Sequence, residues 1–86
     1  MPRALTLQRS IVPISDRKKF LEKLRARGAF YAKMKCKHWA FEEADLPGAF
    51  IEFIEAPDGE TLAQALADAP DPVVDRSRIY REVELV

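Results

Sequence analysis

The 86-residue chain has one cysteine, Cys36, and one histidine, His38. A lone cysteine cannot close an internal disulfide, and a reducing cytoplasm is the expected compartment. One residue separates Cys36 from His38, so in a strand both point the same way. Two soft ligands begin a zinc site, but only carboxylates are left to complete it. A buried, inert thiol is the expectation for Cys36, and no metal or other cofactor is expected. No apolar run approaches the length of a membrane span. Met1-Pro2-Arg3 lacks the apolar core of a signal peptide. Glycine-rich phosphate loops, a nucleophile elbow and paired CxxC motifs are all missing. So are internal repeats and low-complexity tracts.

Net charge is also missing, since 14 Lys and Arg balance 14 Asp and Glu. The layout is uneven, however. Asp16 to Lys37 holds nine Lys or Arg against Asp16 and Glu22. Glu42 to Asp75 holds ten acids and no Lys or Arg. Two solvated faces are the plain reading. The sharper readings are a basic helix for an anionic partner, or pairing between the basic and acidic segments of two copies. The hydrophobic fraction is ordinary for a globular chain, and residues 1–86 make one domain with a single modest core.

The central stretch is Cys36 to Glu55, CKHWAFEEADLPGAFIEFIE. Its two runs are rich in aromatic and β-branched residues. Leu46-Pro47-Gly48-Ala49 suits a type II turn, with Pro47 presetting φ and Gly48 supplying the positive φ. A hairpin with Glu43 opposite Ala49 puts Phe41 against Ile51, Trp39 against Phe53 and His38 against Ile54. Trp39, Phe41, Ile51 and Phe53 then share one face, which is wholly apolar and is expected to lie under helices. His38, Ala40, Glu42, Phe50, Glu52 and Ile54 share the other. That mixed face suits a half-covered pocket or a subunit interface. A one-residue slip would undo the sorting.

Around the hairpin the order is regular. Ala4 to Val12 alternates as a strand, with Leu5, Leu7, Arg9 and Ile11 on one face, and Pro13 ends it. Ser15 is a candidate N-cap for a helix carrying Phe20, Leu21, Leu24, Gly28 and Tyr31 at helical spacing. This helix is expected to run through Gly28 to about Lys33, with Gly28 inside the buried stripe. Asp58 is a candidate N-cap for a second, alanine-rich helix, Glu60 to Ala69, ended by Pro70-Asp71-Pro72. Arg78 to Val86 alternates as a last strand. The order strand, helix, strand, strand, helix, strand predicts an α+β chain of the ferredoxin-like βαββαβ type. Four antiparallel strands then carry two helices on one face. The fold class implies the strand order 4-1-3-2.

With its short length and partly apolar two-sided sheet, and through HWAFEEADLPGAFIEFIE from His38 to Glu55, the chain resembles the dimeric α/β-barrel superfamily. That group includes the antibiotic-biosynthesis monooxygenase-like domains and the muconolactone isomerase type. The resemblance is architectural and covers nearly the whole chain. It implies a homodimer packed through helix-free sheet faces, with a small organic molecule bound there. The Asn, His and Trp constellation of the haem-degrading members finds no match, so no catalytic residue is carried over.

Cross-strand geometry itself makes His38 and Glu52 diagonal neighbours, and Glu42 lies diagonal to Glu52. A carboxylate beside an imidazole suits proton transfer near neutral pH, and close carboxylates push one pKa upward. The expectation is therefore His38 and Glu52 as an acid/base pair, with Glu42, Phe50 and Tyr80 contacting a ligand, all on the helix-free face. Cofactor-independent oxidation or isomerisation is the reaction class, by fold analogy. The plain alternative is a cross-strand ion pair in a dimer interface. A rival of another class is a non-enzymatic interaction module using the basic first helix. Nucleic acid is not the expected partner, because no RNA-platform aromatic motif is present, and neither is a membrane.

Overall fold

The computed structural model describes residues 2–69 and 78–85. Its elements are β1 (Ala4–Ile11), α1 (Arg17–Lys33), β2 (Lys37–Glu42), β3 (Ala49–Ala56), α2 (Gly59–Asp68) and β4 (Ile79–Arg81). The strands form one antiparallel sheet in the order β2-β3-β1-β4. This is the ferredoxin-like α+β arrangement, with the expected strand order. The expected stop at Pro70-Asp71-Pro72 and the following connector lie outside the described residues.

The hairpin register is the expected one, with His38 opposite Ile54, Trp39 opposite Phe53 and Phe41 opposite Ile51. Ala49 N–H donates to Leu46 O at 3.1 Å, and Gly48 has φ 93°, as a type II turn requires. A Cβ on Gly48 would lie 2.6 Å from Val12 O, so this turn also needs glycine for space.

The start of α1 differs from expectation. Ile14–Asp16 forms a 3₁₀ turn, and Asp16, not Ser15, sits at the cap without a side-chain cap bond. Pro13 O accepts the Asp16 N–H at 2.9 Å and closes that turn. The far end is a Schellman motif. Lys35, at φ 63°, donates to Ala32 O at 3.3 Å, and Cys36 N–H donates to Tyr31 O at 2.9 Å. Asp58 caps α2, accepting Thr61 N–H at 2.7 Å.

β4 is shorter than the alternation of Arg78 to Val86 suggests. Its three residues pair with Ala4–Thr6, and one more bond runs from Glu82 N–H to Arg3 O. β1 begins at Ala4, so beyond Arg81 its ladder offers nothing further to pair with.

Both helices cover one face of the sheet. Leu62, Ala65 and Leu66 of α2 join Tyr31 of α1 and Ala4 and Ile54 of the sheet in the core. The face assignment from sequence is therefore inverted. The side carrying His38, Glu42, Phe50, Glu52 and Ile54 lies under the helices. The side carrying Trp39, Phe41, Ile51 and Phe53 does not.

Candidate functional site

Two acids sit under α1 because α1 brings two arginines to meet them. Arg27 lies three residues after Leu24 and four before Tyr31, inside the buried stripe. Its Nε and Nη2 donate to the Glu52 carboxylate at 2.8 and 2.9 Å. The two side chains are only 10 % and 5 % exposed. His38 Nε2 lies 2.6 Å from Glu52 Oε2. An ionised carboxylate only accepts, so Nε2 carries the hydrogen in this contact. Burial pushes the Glu52 carboxyl upward, but the bonds from His38 and Arg27 outweigh it and hold it below the usual range.

The His38 ring is boxed in. It stacks on Tyr31 with centroids 5.7 Å apart. Its Nδ1 lies only 3.1 Å from where a Cβ on Gly28 would sit. Gly28 thus lets α1 ride close to the sheet, as its place in the stripe suggests. The Tyr31 hydroxyl is buried without a partner among the described residues, and burial followed by the Glu52 charge pushes it up to about 12.

Glu42 has its own arginine. Arg17 donates to both its oxygens at 2.5 and 2.9 Å, and Gly48 N–H adds a bond at 2.9 Å. The Arg17 bond and then the Gly48 bond hold Glu42 down at about 2. Phe50 packs against Phe20, centroids 4.8 Å apart, with the Arg17 guanidinium 5.4 Å from its ring.

These contacts correct the expected site. His38 and Glu52 do meet, but beneath a helix rather than on an open face. Glu42 and Glu52 are not a pair that raises one pKa; each is clamped by an arginine and lowered. Glu42 and Phe50 belong to the helix side as well. Of the five residues only Tyr80 lies on the helix-free side, opposite Leu5 and half-exposed. Cys36 is buried, with its thiol 3.6 Å from Met34 O, and burial, then the Asp58 charge, pushes it up. Among the described residues no group of three or more His, Cys, Asp or Glu is placed to hold a metal. No helix among them is long and apolar enough to cross a membrane.

The helix-free face is built in rows, because residues opposite each other in an antiparallel pair share a side. One row is Phe41–Ile51–Arg9, the next Trp39–Phe53–Leu7, and the third Lys37–Glu55–Leu5–Tyr80. Trp39 is 40 % and Phe41 57 % exposed, and Phe41 meets Phe53 edge-on at 6.0 Å. A cleft of about 380 Å³ is lined by Arg9, Phe41, Glu43, Ala49 and Ile51, with Glu42 and Phe50 at its back. A second, of about 220 Å³, lies at the other end between Leu5, Glu55, Tyr80 and Arg81.

Sequence reasoning missed Arg27, counted there among the basic residues, although its spacing from Leu24 and Tyr31 was a readable signal. It also gave no role to Arg9.

The chain is similar in fold to the solved structure of Rv0793 from Mycobacterium tuberculosis. The two match with a TM-score of 0.63 and 15 % identity, over 100 % of this chain and 97 % of that one. No protein-family model matches the sequence, and no curated protein does. The likeness establishes the fold.

Proposed function

We propose that the chain acts as a homodimer whose helix-free sheet faces pack together and enclose a binding site for a small organic molecule. The observation that carries this is the open row of Trp39, Phe53 and Leu7 beside Phe41 and Ile51, apolar and covered by no helix among the described residues. A contiguous apolar face of this kind gains free energy when covered. A second copy offers the same surface, so a two-fold contact is self-complementary. The two clefts at opposite ends of the face supply space for a ligand. The resemblance to the antibiotic-biosynthesis monooxygenase-like domains supports cofactor-independent oxidation or isomerisation as the reaction class. The buried His38–Glu52 pair has no part in this reading as an acid/base couple. Its geometry suits holding α1 on the sheet.

Native mass spectrometry of the purified protein at micromolar concentration tests the reading. A dimer, with or without an added ligand mass, supports it, and a strict monomer removes it. A second reading keeps one observation of its own. Lys18, Lys19, Lys23, Arg25 and Lys33 are exposed along α1, which suits an anionic macromolecular partner. Steeply salt-dependent retention on a nucleic-acid column would favour that interaction module; no retention at low salt would dismiss it.

A further inference from the structure

We propose that Arg9 reads the charge of the bound molecule, so that the ligand is an apolar, flat molecule carrying a carboxylate. This rests on the reading of the helix-free face as a ligand site. Arg9 lies on that face in the row with Ile51 and Phe41. Arg3, Arg17 and Arg27 are each matched by acids of the same chain. Arg9, exposed on the face, makes no such pair among the described residues, although Glu43 lines the same cleft. A guanidinium left among apolar side chains is costly once water is excluded, unless an anion meets it. Its planar fork matches a carboxylate with two parallel bonds. Phe41 and Ile51 beside it supply the apolar wall for the rest of the molecule. The cleft, about 380 Å³, has the size of small-molecule sites.

The anion has one other source, Glu43 of a second copy, and the experiment separates the two. 2-Naphthoate and its neutral analogue 2-naphthylmethanol are titrated calorimetrically into wild type, Arg9→Gln and Glu43→Gln, with native mass spectrometry of each protein. The expected result is naphthoate binding that exceeds the alcohol by about ten- to a hundred-fold. Arg9→Gln should abolish that preference and keep the dimer, while Glu43→Gln should leave both intact. Equal binding of the two compounds to wild type, or an unchanged preference in Arg9→Gln, overturns the proposal. Loss of the dimer in both variants overturns it too, by assigning Arg9 to a contact with Glu43 of a second copy. A wild-type dimer that binds neither compound overturns it while leaving the homodimer in place. A wild-type monomer that binds neither removes the homodimer reading as well.

Discussion

At the scale of single residues, the fold is governed by charges placed where burial would normally forbid them. Glu52 is tolerated under α1 because Arg27 and His38 both satisfy it. Glu52→Gln leaves the buried Arg27 uncompensated and should destabilise the protein by about 3–5 kcal/mol in urea unfolding. An all-apolar replacement of Arg27, His38 and Glu52 together should cost far less. If Glu52→Gln and the triple variant were equally damaging, the pairing would not be what matters. The same carboxylates set the acid response. Glu42 and Glu52 are both lower in the folded chain than the ordinary value of 4.5. Their stabilisation is therefore full above that value and fades as pH falls through the folded values, about 2 for Glu42. Wild type should lose stability between about pH 5 and about pH 2, and Glu42→Gln and Glu52→Gln should each show a shallower loss than wild type. A wild-type stability flat across that range would contradict the ion-pair account.

At the scale of elements, α1 is held by its close approach to the sheet and by an unusual stop. Alanine in place of glycine inside a helix ordinarily gains about 1 kcal/mol. At Gly28 the new Cβ would press on His38 Nδ1 at 3.1 Å. That ring cannot yield, being bonded to Glu52 and stacked on Tyr31. Gly28→Ala should therefore destabilise the chain, and a net gain in unfolding free energy would show that the ring moves freely. Lys35 holds a left-handed backbone better suited to glycine. Lys35→Gly should stabilise by roughly 1 kcal/mol, read from the denaturation midpoint. The hairpin was legible in this detail, since Leu46-Pro47-Gly48-Ala49 encodes both turn and register. The side of the sheet that α1 covers was not. Both hairpin faces carry large apolar groups, and Glu42 and Glu52 marked one as open. Only the helix arginines, ten residues apart in a distant segment, reverse that sign.

At the scale of the whole molecule, that inversion changes what the surface offers. Glu52 and His38 lie inside, Glu42 is clamped at the partly exposed rim, and the aromatic row is left outside. βαββαβ order was readable from alternation, helical spacing and turns, but covering one sheet face always leaves the other to be explained. Trp39 and Phe41 are the exposed aromatics of its β2 edge, with Tyr80 on β4 at the other edge. The central claim is that a second copy covers this row. Phe41 is the more exposed of the two, so Phe41→Glu should leave the single chain folded. The decisive measurement is sedimentation equilibrium of wild type and Phe41→Glu at micromolar concentration. The account predicts twice the 9.8 kDa chain mass for wild type and the single-chain mass for a folded Phe41→Glu. A wild-type protein at the single-chain mass, or a Phe41→Glu protein as dimeric as wild type, would contradict it.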